Sequence, residues 1–242
     1  VRPANVTANI DVFCVFPEAV RAMLGVGVVG RAVERGTAGL RCFDLREHAP
    51  DGRIDDMPYG GGAGMVMRAD VIARALEDAY GVRAREVREH REVLVTEPGG
   101  RTFDQEYARE LAGGLSGGRG LTMICGRYGG LDERVRTELS SGAVSVGDFV
   151  LSGGEIAAAA VSDSVIRLLD GVLGNSESLV GESFSEAEPG SLGPPQYTRP
   201  AQWDGAGVPA VLLSGNHAEI QRWREDESRR RSVGSEQGTR TS

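Results

Sequence analysis

Apolar and polar positions along the first two thirds of this chain alternate between strand and helix signals, and the switches mark the elements. Ile10 to Phe16 is apolar except for Asp11 and predicts a strand; Pro17 to Leu24 predicts a helix with proline at its first position. Leu40 to Asp44 reads as a second strand. Ala69 to Tyr80 reads as a helix with Ile72, Ala75, Leu76 and Ala79 on one face. Glu92 to Thr96 is a strand, Asp104 to Leu111 a helix, Leu121 to Cys125 a short buried strand and Ala143 to Val146 another. A long apolar helix follows from Glu155 to Leu169. Strand and helix in alternation predict an α/β fold: a mainly parallel sheet covered by helices.

The pattern changes after Gly174. Residues 175–200 are rich in Ser, Glu, Gly and Pro with little periodicity, as in a linker or lid. Beyond them, Asn216-x-x-Glu219 resembles a capping box opening a helix that carries Ile220 and Trp223, and the chain from Arg231 onward reads as frayed. The expected organisation is a domain over 1–174, a flexible segment over 175–200 and a small helical domain over 201–242.

Composition narrows the possible chemistry. The 242 residues are 40% hydrophobic, enough for a sizeable core, and no apolar run approaches the roughly 20 residues that span a bilayer. No basic-then-apolar leader opens the chain. Cys14, Cys42 and Cys125 are odd in number and lack a C-x-x-C pair, which favours reduced thiols and a cytoplasmic location. The net charge of -8 does not advertise nucleic-acid binding, although a local arginine patch would suffice. Arg222, Arg224, Arg229, Arg230 and Arg231 form such a run, but Glu225, Asp226 and Glu227 interleave with it. A solvated helix face is an equal reading. His48, His90 and His217 show no metal-ligand spacing, so no metal site is expected from the residues.

Three glycine-rich loops follow strand signals: Pro98-Gly-Gly100, Cys125-Gly-Arg-Tyr-Gly-Gly130 and Ser145-Val-Gly-Asp-Phe-Val-Leu-Ser-Gly-Gly154. Loops at the carboxyl ends of adjacent parallel strands converge on one crevice. Glycine there lets main chain approach a ligand closely. There is no G-x-G-x-x-G with a ribose-binding acid. All 27 basic residues are arginine, so a lysine-bearing P-loop is excluded. The plain alternative is that these loops are ordinary strand-to-helix turns.

These loops resemble the cofactor loops of bacterial tRNA (guanine37-N1)-methyltransferases, which are knotted methyltransferases of the SPOUT class. Further similarity lies in Asp55-Asp-Met-Pro-Tyr-Gly-Gly-Gly-Ala-Gly-Met65, Gly171-Val-Leu-Gly-Asn175, Tyr197-Thr-Arg-Pro200 and Val211-Leu-Leu-Ser-Gly-Asn-His-Ala-Glu219, in order along residues 10–224. The resemblance implies a deep C-terminal trefoil knot in the first domain, a homodimer with the active site between subunits, and a tRNA partner presenting an anticodon loop with G36-G37. It implies S-adenosylmethionine held by Thr96, Glu97, Pro98 and Gly100 in one loop and Gly126, Arg127, Tyr128 and Gly129 in the next. Val146, Gly147, Leu151, Gly153 and Gly154 complete that set. The family is also associated with magnesium, for which no motif appears here.

Methylation at guanine N1 needs a base for the N1 proton and a cation or donor at O6. By resemblance these are Glu182 and Arg167. The family has aspartate where Glu182 stands, and a glutamate carboxylate reaches about 1.5 Å further. Displacements of that size can cost ~10²-fold in rate. For Arg167, late in an apolar helix, the plain alternative is an interfacial salt bridge. The resemblance gives Asp55, Tyr59, Gly60, Gly64 and Met65 to the flipped guanine, whose N1–H and 2-amino group suit a carboxylate. An acidic Pro/Gly turn is the local alternative.

Several departures fall near the reacting groups. Gly129 replaces a family acid, Gly193 another, Glu97 stands where serine is usual, and His48-Ala-Pro-Asp51 is a reduced form of a His-Asp-x-His stretch. The C-terminal domain is shortened. Glu97 would restore the charge lost at Gly129. These changes leave two other readings open: a relative that methylates another RNA or a small metabolite, and a non-catalytic protein that binds cofactor or RNA.

Overall fold

The computed structural model describes residues 8–173, 182–185 and 190–238. The chain divides into two compact units, one ending at Leu173 and the other beginning at Gly174.

The first unit is built on five parallel strands. In chain order they are β1 (Asn9–Cys14), β2 (Gly39–Asp44), β5 (Arg91–Thr102), β6 (Gly120–Cys125) and β7 (Gly142–Ser145), and they lie side by side as β2-β1-β6-β5-β7. Between them a short hairpin is formed by β3 (Asp55–Asp56) and β4 (Val66–Met67). Alternate side chains enter opposite layers. Ile10, Val12 and Cys14 pack on one face with α1 (Pro17–Leu24), α2 (Gly27–Glu34), α5 (Gln105–Ser116) and α6 (Glu155–Ile166). Phe13 and Val15, with Val93, Val95 and Ile124, pack on the other with α3 (Ala69–Tyr80), α4 (Val87–His90) and a π-helical turn, Val135–Leu139. Both faces are covered, as parallel sheets require.

Asp11 is fully buried in the second layer. Its carboxylate accepts from Arg41 at 2.7 and 2.6 Å and from the Tyr80 hydroxyl at 2.8 Å, and Arg91 stands 2.8 Å away. A buried charge is tolerable only with such partners. Arg91 and Tyr80 also meet Thr122 Oγ1, each at 2.8 Å, tying β1, β2, β5, β6 and α3 together.

α2 lies where the sequence reading has no helix. Its glycines disguise it, yet Val29 and Ala32 are buried and a Cβ on Gly30 would stand 2.3 Å from the Gly25 carbonyl oxygen. Close packing, not propensity, sets that helix. α5 runs past the expected Leu111 to Ser116 because Ala112 and Leu115 continue its buried face.

In the second unit a tight antiparallel pair, β8 (Gln202–Trp203) and β9 (Ala206–Gly207), precedes α7 (Ala210–Leu213) and α8 (His217–Gly238). Asn216 Oδ1 accepts from the Glu219 amide at 3.4 Å, but the Asn216 amide turns to Ser214 Oγ at 3.1 Å, so only half of the expected box forms. Where fraying is expected from Arg231, α8 continues to Gly238, and residues 239–242 lie outside the described residues. Ser228 and Ser232 of that helix bond Leu192 at 2.5 and 2.8 Å, and Arg231 donates to the Gly193 carbonyl at 2.7 Å. Serines spaced four apart gave no apolar signal for this docking. Of the expected segment 175–200, residues 175–181 and 186–189 lie outside the described residues, as do Gly174 and Asn175 of the motif beginning at Gly171.

Candidate functional site

At the carboxyl ends of the adjacent strands β6, β5 and β7 a cleft of about 360 Å³ opens. Its walls are three stretches of main chain: Thr96–Pro98, Gly126–Leu131 and Val144–Gly154. Every residue that the resemblance assigns to the cofactor lies on this lining except Gly100, whose would-be Cβ would stand 2.5 Å from the amide nitrogen of the lining residue Val144. β5 makes the first wall by leaving register. Thr96 and Arg101 both pair with Val144, so the residues between them bulge outward.

The second and third walls are stitched together. Arg127 and Gly153 form an antiparallel bridge, and the Gly154 amide donates to the Gly126 carbonyl at 2.8 Å. Gly154 is glycine because nothing larger fits: a Cβ there would stand 1.9 Å from Thr96 Oγ1 and 2.9 Å from Cys125 Cα. Underneath, Arg127 Nε bonds both oxygens of Glu155 at 2.9 and 3.1 Å, and its guanidinium lies over the Phe16 ring at 4.3 Å. Glu155 is only 2% exposed. No local pattern marks it as buried: an acid in the first turn of a mostly apolar helix also suits an exposed helix start. Gly130, Leu131, Phe149, Val150, Ser152 and Ala157 also line the cleft; they neighbour residues already chosen.

The thiols nearby are not nucleophiles. Burial, followed by the charge of Glu155, pushes Cys14 up to about 12, and burial drives Cys125 well above its ordinary value. Such thiols stay protonated near neutral pH.

The 57–65 loop rises from the β3–β4 hairpin, whose base is seated on the second wall. The Gly129 amide donates to the Met65 carbonyl at 2.7 Å, the Met67 amide to the Gly130 carbonyl at 3.0 Å, and the Arg127 amide to Met67 Sδ at 3.2 Å. Gly60 and Gly64 adopt positive φ, Tyr59 is fully exposed and Asp55 half-buried. A Cβ on Gly129 would lie 2.8 Å from the Met65 oxygen, so this seat needs glycine.

One expected residue of the first unit lies elsewhere. Arg167 caps the far end of α6, half-buried, and is not part of the cleft lining. Twelve residues of helix at ~1.5 Å each put it about 18 Å from Glu155. Glu182 belongs to the second unit and is half-buried. Among the described residues no three His, Cys, Asp or Glu side chains come together as a metal site, and no helix is long and apolar enough to cross a membrane.

A parallel sheet with a main-chain-walled cleft at the carboxyl ends of three neighbouring strands defines an open α/β protein with room for a compact ligand at its strand ends. Residues 8–237 match the family described as tRNA (Guanine-1)-methyltransferase TrmD. Proteins named tRNA (guanine-N(1)-)-methyltransferase are similar along most of their length. The one from Roseobacter denitrificans is 48% identical over 224 residues, 90% of this chain and 87% of its own. That of Cereibacter sphaeroides is 49% identical over 218 residues, 89% and 84%. That of Listeria monocytogenes is 43% identical over 226 residues, 92% and 88%. The chain belongs to this family.

Proposed function

We propose that this protein methylates N1 of guanine 37, next to the anticodon of tRNA, using S-adenosylmethionine. The observation that carries the reading is the cleft: a chain of this family brings three glycine-tight loops to one strand end, with room for a compact ligand. The residues present fit such a donor. Leu131, Val146, Phe149 and Leu151 offer apolar surface for a nucleobase, main-chain groups offer hydrogen bonds, and Glu97 offers a negative charge. When bound, S-adenosylmethionine supplies a methyl group on a positively charged sulfur.

The loops hold the donor bent and fix its methyl-bearing end. By family resemblance the fold is a trefoil knot, and that threading would give the loops their mutual bracing. The 57–65 hairpin loop receives the guanine, with Asp55 accepting from its 2-amino group. Glu182 takes the N1 proton and Arg167 donates to O6 as negative charge builds there. Arg167, at the far end of α6 from its own cleft, would serve the cleft of a second copy. Exposed Phe149, Val150 and Ile156 on the neighbouring loop and helix offer apolar surface for such a homodimer. Among the described residues no three His, Cys, Asp or Glu side chains group as a metal site, so no residue is assigned to the magnesium that the family resemblance associates with these enzymes.

Labelled S-adenosylmethionine incubated with unmodified tRNA carrying G36-G37 tests the reading. Label should appear as 1-methylguanosine at position 37. Arg167→Ala and Glu182→Gln should each abolish it while donor binding persists. Label confined to small molecules of a cell extract, or binding without transfer to any tRNA, would refute the assignment.

A further inference from the structure

A cleft that takes a positively charged donor needs something to face that charge. Among the described residues that line it, Glu97 is the one carboxylate, and Arg127 is the one guanidinium. Arg127 is committed to the buried Glu155 at 2.9 Å. Glu97 is not committed in this way. Arg136, the guanidinium that it faces, stands 3.9 Å away and is itself bonded to Glu133 at 2.6 Å. The side chain of Glu97 is 32% exposed and rises from the bulge where β5 leaves register, between buried Thr96 and exposed Pro98. The rest of the lining is main chain, apolar side chains and hydroxyls, which screen a charge poorly.

We infer that Glu97 is the counter-charge for the cationic part of the bound methyl donor and sets the cleft's preference for charged over neutral adenosine thioethers. The inference rests on the placement of the donor in this cleft. Two groups of the donor carry positive charge, the sulfonium and the α-ammonium, and they have different consequences. A carboxylate facing the sulfonium favours the donor over its product, S-adenosylhomocysteine, whose sulfur is neutral. One facing the ammonium holds donor and product alike.

Calorimetric titration of wild type and Glu97→Gln with S-adenosylmethionine, S-adenosylhomocysteine and 5′-methylthioadenosine separates these cases. The last ligand carries neither charge and reports the integrity of the cleft. Glu97→Gln should bind it as wild type does and should bind S-adenosylmethionine about tenfold more weakly at low salt. An equal loss for S-adenosylhomocysteine assigns the ammonium; an unchanged affinity assigns the sulfonium. Undiminished binding of S-adenosylmethionine overturns the inference. So does an equal loss for all three ligands that recurs in Glu97→Ser. Failure of the wild-type protein to bind 5′-methylthioadenosine would overturn the placement of the donor itself, and this inference with it.

Discussion

Replacing Gly154 with alanine adds one methyl group at the point where two walls of the cleft meet. The backbone there is ordinary, with φ -77° and ψ -7°, so alanine meets no torsional objection. The objection is contact. The new Cβ would stand 1.9 Å from Thr96 Oγ1 and 2.9 Å from Cys125 Cα. The threonine hydroxyl can rotate away; the Cα of β6 cannot, because that strand is paired on both sides. Overpacking of this kind costs about 1–3 kcal/mol. Gly114 in α5 is the matched control, since nothing lies within 4 Å of its would-be Cβ. There alanine should stabilise by up to about 1 kcal/mol through helix propensity. Urea unfolding gives both differences. Adding Thr96→Ala to Gly154→Ala should recover only part of the loss, because the Cys125 contact remains. The distortion should also weaken 5′-methylthioadenosine binding by calorimetry. A Gly154→Ala protein as stable as wild type, with unchanged affinity, would refute the account of the cleft as built by main-chain contact.

Three further outcomes follow from the same geometry. Arg127→Met strands the buried Glu155 carboxylate and should cost about 3–5 kcal/mol in urea unfolding, most of it restored when Glu155→Leu is added; a double variant no better than the single would contradict this. Burial pushes Cys42 up to about 11, so at pH 8 only about one thiolate in a thousand is present, and Cys14 and Cys125 are lower still. Iodoacetamide followed by mass spectrometry should label the native protein only as fast as it opens, and rapid native labelling would count against it. Hydrogen bonds from Arg46 hold the Asp44 carboxyl below its ordinary range, so its contribution is present above that range and lost as pH falls through the folded-state value. The stability gap between wild type and Asp44→Asn should therefore be constant above about pH 5 and shrink below about pH 4; a gap independent of pH would sink the assignment.

What the chain reveals before folding depends on whether a signal is local. The helices Pro17–Leu24 and Ala69–Tyr80 are legible to the residue, because a proline start and a single apolar stripe are both local facts. α2 is hidden because glycines that elsewhere mark turns here permit Gly30 to close on Gly25. The docking of α8 on residues 191–193 is hidden for a related reason: its contacts are serine and arginine hydrogen bonds, which leave no period in the sequence. Within the site, loop glycines are legible as loops, but which glycines are sterically required is not. Gly99 has open space around its would-be Cβ, whereas its neighbour Gly100 would strike the Val144 amide nitrogen at 2.5 Å. The Arg127–Glu155 pair, 28 residues apart, becomes visible only when β6 and α6 meet.

That division between main chain and side chain explains where this chain departs from its family's pattern. The shape of the cleft is fixed by backbone approach at Gly154 and by the bridge between Arg127 and Gly153, none of which depends on the identity of a rim side chain. Rim side chains can therefore change charge without changing shape. At position 129, where the resemblance leads one to expect an acid, glycine lets the hairpin base close to 2.7 Å on the second wall. Any side chain there would push the Met65 carbonyl back. Glu97, on the first wall, is the carboxylate among the described lining residues, and on the proposed reading it would carry the charge that Gly129 lacks. On the proposed reading, the closer hairpin seat and the carboxylate at Glu97 would be two parts of one rearrangement. Gly129→Glu should loosen the hairpin in wild type, which amide exchange at Met67 would report as faster opening. The same change should restore donor affinity only in the Glu97→Gln background. Equal effects of Gly129→Glu in both backgrounds would show that the two positions act independently.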